Sequence, residues 1–183
     1  MKIFITGIAG FLGSHLADRM LELGHEVSGN DTLIGGYLSN VPDRANFYEV
    51  DCCDIAGMTE IMKDHDVVIH AAATAHEGLS VFSPSFITKN IFEASVATMS
   101  AAIQNNVKRF VYCSSMARYG SITIPFHEFD VPKPDDPYGV AKLAGEEVLK
   151  ILCETHGMEW NIAVPHNIDR KSTRLNSSPS RSR

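Results

Sequence analysis

Tyr138 and Lys142 stand four residues apart in the stretch "PDDPYGVAKLAGEEVLKIL" (residues 134–152). A helix there, with Asp136 as N-cap and Pro137 at its first position, puts both on one face. A phenol has a pKa of about 10 and is a poor base at neutral pH. An ammonium group beside it favours the phenolate, which turns the tyrosine into a usable acid/base. Taken alone, Y-x-x-x-K is an ordinary helix-surface pair, so its meaning rests on its surroundings. One such surrounding is "CSSMARYG" (113–120), where Ser114 and Ser115 close an apolar run. Hydroxyls at the end of a buried strand mark the rim of a sheet, and Ser115 is placed to hold a reacting hydroxyl group.

A second constellation lies at the front of the chain. "TGIAGFLG" (6–13) sets Gly7, Gly10 and Gly13 at three-residue intervals between a β-rich run and an amphipathic helix. Glycines there let a backbone approach a pyrophosphate, whose charge meets the free N–H groups at the helix start. Asp31 follows about twenty residues later and suits the hydroxyls of an adenosine ribose while repelling a 2′-phosphate. The expected cofactor is therefore NAD rather than NADP. Asp51 is a candidate for the adenine amino group or a plain turn residue. The alanines of "HAAAT" (70–74) leave room for a flat cofactor against the backbone. Alternation along that strand turns His70 into the core. His76 and Glu77 lie nearer the mouth.

These residues need a scaffold. Strand patterns fall at 2–6, 25–31, 46–51, 66–73, 107–115 and 159–165, and helix patterns at 11–24, 58–64, 86–105 and from 138 onward. Strands alternating with helices, with apolar runs such as Val67–Ile69, predict an α/β fold: a doubly wound parallel sheet covered by helices on both faces. The stretches 33–45 and 120–137 read as long loops. In such a sheet, function gathers at the carboxyl ends of the strands.

Composition narrows the remaining choices. The 183 residues are 44% hydrophobic and 21% charged, with a formal net charge of −6, which disfavours a nucleic-acid partner. No apolar run is long enough to span a membrane, and the N-terminus does not read as a signal peptide. The four cysteines show neither metal-ligand spacing nor a disulfide framework, so free thiols and a cytoplasmic location are expected, with no metal site. The last fifteen residues, "DRKSTRLNSSPSRSR" (169–183), carry five basic residues and one acidic one and continue no pattern. They read as a disordered basic arm or, more sharply, as the translation of a common sequencing-adapter read. The second reading makes residues 1–168 the incomplete front part of a longer protein, cut after its sixth strand, with a non-native tail.

As a set, "TGIAGFLG", Asp31, "HAAA", Asn90, "SSMARYG", "PYGVAK" and "VPHN" resemble the extended short-chain dehydrogenases/reductases, and among them the NAD-dependent epimerase/dehydratases of nucleotide sugars. The resemblance covers residues 1–168 in order. It implies a Rossmann-like domain with Ser115, Tyr138 and Lys142 as the catalytic residues. It also implies a cofactor site of Gly7, Gly10, Phe11, Leu12, Gly13, Asp31, Asp51, Cys52, Ala71, Ala72, Ala73, Asn90, Tyr138, Lys142 and Pro165. Ser115 and Asn167 would touch the nucleotide-diphosphate sugar. A carboxyl-terminal substrate domain and a homodimer formed through the two long helices are further implications. Dehydratases of the family carry an Asp-Glu pair after the catalytic hydroxyl residue, where this chain has Met116 and Ala117, so a UDP-glucose 4-epimerase-like reaction is expected. The alternatives are a dehydratase, decarboxylase or reductase of the same family, or a non-catalytic NAD-binding protein. Arg118 departs from the apolar residue common there and is expected to face a substrate or solvent.

Overall fold

The computed structural model describes residues 1–75, 77–122, 124–166 and 168. Six parallel strands form one sheet: β1 (Lys2–Thr6), β2 (Glu26–Asn30), β3 (Asn46–Tyr48), β4 (Val67–His70), β5 (Arg109–Cys113) and β6 (Glu159–Ala163). Their order across the sheet is β3-β2-β1-β4-β5-β6, the doubly wound arrangement that the alternating pattern predicts. The order reverses between β1 and β4, so the chain crosses the sheet at that point. Pairs such as Ile3 with Val67 and Val68 with Phe110 fix the central register.

Period-two alternation divides the core between two faces. Phe4, Val68, Phe110 and Tyr112 point to one side. There they meet α2 (Ile55–Ile61), α5 (Ala94–Gln104) and α6 (Pro137–His156) through Met58, Met99 and Leu149. Ile3, Ile5, Val27 and Ile69 point to the other side, against Ala17 and Leu21 of α1 (Phe11–Glu22). The central strands β1, β4 and β5 thus carry continuous apolar runs because both of their faces are covered. β6 is different: it is the sheet's last strand among the described residues, and four of its five residues are exposed.

The sequence placed the elements correctly but misjudged several ends. The helix expected at 86–105 begins earlier, as α4 (Pro84–Thr88), and passes through a π turn (Lys89–Glu93) before α5. Periodicity cannot show a single widened turn. Here Asn90 and Ser95 side chains hydrogen-bond back to the carbonyls of Phe86 and Ile91 and compete with the regular ladder. The helix expected at 58–64 starts at Ile55 instead, because Asp54 caps it by accepting from the Gly57 N–H at 3.0 Å. β3 stops at Tyr48 rather than at Asp51, since the Val50 N–H turns back to the Tyr48 carbonyl. β4 stops at His70 because the Ala72 N–H bonds the Thr6 hydroxyl instead of a strand partner. A short helix occupies part of the expected loop 33–45, at Leu38–Asn40, and two more lie where no element was expected, at Glu77–Ser80 (α3) and Met116–Tyr119.

Candidate functional site

The carboxyl ends of β1, β2, β4 and β5 lie side by side, and the predicted site residues follow them directly. Gly7 leaves β1 at φ +70°, and its N–H bonds the Asn30 carbonyl at 2.8 Å. A Cβ on Gly7 would lie 2.8 Å from the Ala72 Cα, so only glycine lets the turn pass this close to the alanine segment after β4. A Cβ on Gly13 would lie 2.1 Å from the Gly7 carbonyl oxygen, so α1 also presses directly onto the turn. Gly10 is the N-cap of α1. It contributes no capping side chain, and no acidic residue stands in the first turn. The N–H groups of Phe11, Leu12 and Gly13 therefore form an electropositive helix start with no side-chain acceptor of its own. This arrangement fits a pyrophosphate.

Asp31 follows β2 and is held firmly. One carboxylate oxygen accepts from the Ala9 N–H at 3.1 Å and the other from the Leu33 N–H at 2.8 Å. Each oxygen keeps a further lone pair for an outside donor. The loop after Asp31 is tied to the same glycine turn, because the Tyr37 N–H and the Asn40 amide both donate to the Ala9 carbonyl. Asp51 lies near this end of the sheet in an exposed turn, accepting from the Cys53 N–H at 2.8 Å. The Cys52 thiol faces the core beside Asn30, which leaves only its backbone for a ligand. Burial pushes that thiol's pKa up. Asn90 sits in the π turn with its amide bonded to Phe86.

His70 lies wholly inside the protein. Its ring stacks on Tyr112 at 5.8 Å, Nδ1 lies 2.9 Å from the Thr6 hydroxyl, and Nε2 lies 3.1 Å from the Ser95 hydroxyl. With Thr6 accepting from Ala72 and Ser95 donating to Ile91, the consistent assignment is a neutral ring protonated at Nε2. Burial, reinforced by the Lys142 charge, drives its pKa down to about 3. A ring so held does not transfer protons at neutral pH. It braces Ala72 from behind.

The second half of the site is zipped together along α6. The Lys142 ammonium donates to the Cys113 carbonyl at 2.7 Å and lies 5.1 Å above the Tyr112 ring. Glu146, one turn later, accepts from the Ser114 hydroxyl and pairs with Arg118 at 2.6 Å. A Cβ on Gly139 would lie 2.6 Å from the Ala117 carbonyl oxygen, so the first turn of α6 rests on the turn after β5. Ser115 lies between these ties, with its hydroxyl accepting from the Ala117 N–H at 3.2 Å. Tyr138 packs with Ile87, Ile91 and Ala141, and Ala117 joins the same cluster. Asp136 caps the helix through the Gly139 N–H at 2.8 Å, as its sequence position predicts. Pro165 is drawn in by the Met116 N–H, which donates to its carbonyl at 3.3 Å.

Lys142 is 2% exposed, and burial brings its pKa down to about 8, opposed by Cys113 and Glu146. It therefore stays mainly cationic at neutral pH while remaining close to titration. The phenol of Tyr112 is pushed up by burial, so it is no rival base. Arg118 is a correction to the sequence reading. It is turned away from solvent and paired with a carboxylate that is wholly buried. Glu146 was missed altogether. Its position four residues after Lys142, on the same helix face, was the available signal. Asn167 and His76 lie outside the described residues, as does the side chain of Glu77 and the whole of residues 169–183.

The profile described as "NAD dependent epimerase/dehydratase family" matches residues 3–169. The UDP-glucose 4-epimerase of Halalkalibacterium halodurans is 34% identical over 163 residues, which cover 87% of this chain and 48% of that protein. The structure of the Thermotoga maritima UDP-glucose 4-epimerase with UDP-glucose superposes with a TM-score of 0.84 at 32% identity, covering 88% of this chain and 54% of that one. The Thermus thermophilus UDP-glucose 4-epimerase complex with NAD gives a TM-score of 0.85 at 30% identity, covering 88% and 54%. The chain spans about half the length of the curated relatives it matches.

Proposed function

Since the chain belongs to the NAD-dependent epimerase/dehydratase family, we propose that residues 1–168 are the cofactor-binding domain of an NAD-dependent epimerase acting on a nucleotide-diphosphate sugar at C4. The observation that carries this reading is that the glycine turn, the Asp31 carboxylate and Lys142, which grips the Cys113 carbonyl, lie at the carboxyl ends of neighbouring strands. The Gly7–Gly13 turn and the start of α1 hold the pyrophosphate, and Asp31 takes the adenosine ribose. Ala71, Ala72 and Ala73 supply a flat wall, with Pro165 tied to Met116 at the turn after β5. When bound, NAD supplies reversible hydride acceptance at the sugar carbon.

The chain's own residues manage the proton. Tyr138 takes it from the sugar hydroxyl and returns it after the sugar has turned over. Ser115 holds that hydroxyl in place. The Lys142 cation favours the phenolate form of Tyr138. Met116 and Ala117, which follow Ser115, carry no group able to move a second proton. That favours epimerisation over loss of water from the sugar. Asn167 remains assigned to the sugar nucleotide on the family pattern.

Residues 169–183 are read as a non-native tail, and the substrate-binding half as lying beyond residue 168. A cytoplasmic location suits the four free cysteines. Among the described residues no helix is long and apolar enough to cross a membrane. A homodimer through α6 and the α4–α5 helix fits the exposed Val140, Ile151 and Phe86. The test is proton NMR of the sugar anomeric signals after UDP-glucose is incubated with the enzyme completed beyond Ile168. Conversion to the C4 epimer with only the bound NAD present is expected. Product that lacks water or accumulates reduced cofactor would point instead to a dehydratase or a reductase.

A further inference from the structure

Glu146 is a carboxylate with no exposure, on the helix that carries Tyr138 and Lys142. Its two oxygens are divided between the Ser114 hydroxyl and the Arg118 guanidinium, which flank Ser115 on either side. A carboxylate so deeply buried is tolerable only while it is paired and hydrogen-bonded. Both partners come from the turn after β5, so the cost of burying Glu146 is offset only when that turn is seated on α6. Lys142, one helical turn earlier, grips the same segment through the Cys113 carbonyl at 2.7 Å.

We propose that Glu146 is a positioning residue that clamps the Ser115 turn onto α6 and serves as the fixed counter-charge of Lys142. The role deepens the proposed epimerase reading, and its catalytic meaning rests on that reading. The clamp itself does not.

Several titratable groups face Lys142. His70 comes from β4, Tyr112 and Cys113 from β5, and Tyr138 and Glu146 from α6 itself. His70 is neutral above about pH 3, and burial holds Tyr112 and Cys113 protonated. Glu146, paired with Arg118, is the carboxylate one helical turn from Lys142. Arg118 pairs with the same carboxylate at 2.6 Å. The charge of Arg118 is thus used inside the clamp.

The experiment is a nitrogen-15 titration of Nζ in the lysine-labelled 183-residue chain, without cofactor or substrate, with Lys142 assigned through Lys142→Arg. Glu146→Gln should lower the Lys142 midpoint from about 8, since removing a nearby anion disfavours the ammonium form. If Glu146→Gln alone does not fold, the double variant Arg118→Met/Glu146→Gln removes both buried charges and should lower the midpoint as well. Arg118→Lys, which keeps a cation for Glu146, should leave it in place. An unchanged or raised midpoint in a folded Glu146→Gln or double variant overturns the proposal. Because no turnover is measured, a lowered midpoint with no epimerised sugar from the completed enzyme would sink the functional reading and leave the clamp standing.

Discussion

The two halves of the candidate site are built by opposite means. Around β1 and β2 it is made by leaving side chains out: Gly7, Gly10 and Gly13 bring backbone to the surface, and Ala72 lies where the Gly7 turn passes. Around β5 and α6 it is made by burying charge. Lys142, Glu146 and Arg118 are packed between a strand end and a helix, each with a partner. The first half suits a ligand bound largely through backbone N–H groups. The second suits chemistry in which the charge state of a side chain decides the rate. The expectation that follows is simple. Substitutions in the glycine half should act on geometry and cofactor binding, and those in the charged half on rate and pH dependence.

The largest expected effect tests that division directly. In the proposed epimerase, Tyr138→Phe removes only the titratable hydroxyl. Proton transfer by a positioned group contributes about 10² to 10⁴ in rate, or roughly 3 to 5.5 kcal/mol of barrier. NAD affinity should barely move, because Lys142 and the ring packing remain. Single-turnover reduction of bound NAD measures the first quantity and calorimetric titration the second. Near-normal reduction of NAD would break the assignment.

His70 belongs to neither half but joins them, through Thr6 at the glycine turn and Tyr112 beneath Lys142. Its folded-state pKa of about 3 lies below the ordinary 6.5. The unfolded chain therefore binds more protons between those values, and stability must fall as pH drops through that window. The contribution is complete above about pH 6.5 and is lost at about 1.4 kcal/mol per pH unit below it. Asp66, held down to about 2 by Lys108 and the Lys2 N–H, acts only at lower pH. Urea midpoints between pH 7 and 4.5 should show a slope that His70→Gln flattens. An identical slope in the variant would mean that the ring already titrates in the folded chain.

How much of this was open to a reader of the sequence follows the same division. The glycine half is local. Gly7, Gly10, Gly13 and Asp31 declare themselves by type and spacing, because the constraint is on the backbone within one βαβ unit. The parallel, helix-covered sheet followed from apolar runs separated by helices. The charged half depends on residues that meet only after folding: Glu146 reaches Ser114 and Arg118, 32 residues away in the case of Ser114. Nothing near Arg118 in the sequence says that its partner lies a helix later. Tyr138, Lys142 and Ser115 suggest themselves only as members of a set. The element ends were lost to small side-chain hydrogen bonds, at Asp54, Asn90 and Ser95, which leave hydrophobic periodicity untouched.

A mid-sized effect is expected from Gly13→Ala. The new methyl would meet the Gly7 carbonyl, a backbone atom that cannot swing aside. Forced overpacking of this kind costs about 1–3 kcal/mol, and for a chain of this size each kcal/mol lowers the melting temperature by about 2–4 °C. The shift falls on the turn assigned to the pyrophosphate, so NAD affinity should drop with it while the Lys142 titration stays in place. A change in the Lys142 midpoint of Gly13→Ala would show that the two halves are not separable.

The smallest effect is the most specific to the glycine half. Asp31 has both oxygens anchored, to Ala9 and Leu33, so its carboxylate cannot rotate away from an incoming ligand. A fixed anion accepts hydrogen bonds from two ribose hydroxyls and repels a phosphate on either of them. No arginine or lysine adjoins it in sequence to offset that repulsion; its neighbours are Asn30 and Thr32. NAD should therefore bind at least ten times more tightly than NADP, a difference of about 1.4 kcal/mol. Asp31→Asn keeps the side chain's size and one carbonyl acceptor but removes the charge. It should weaken NAD modestly, through the lost charge-assisted bonds, and improve NADP relative to it. The ratio of the two affinities is the quantity to measure, because a general loosening of the turn lowers both and leaves it unchanged. An unaltered ratio would make Asp31 a loop anchor and move cofactor selection to the neighbouring loop that Tyr37 and Asn40 tie to Ala9.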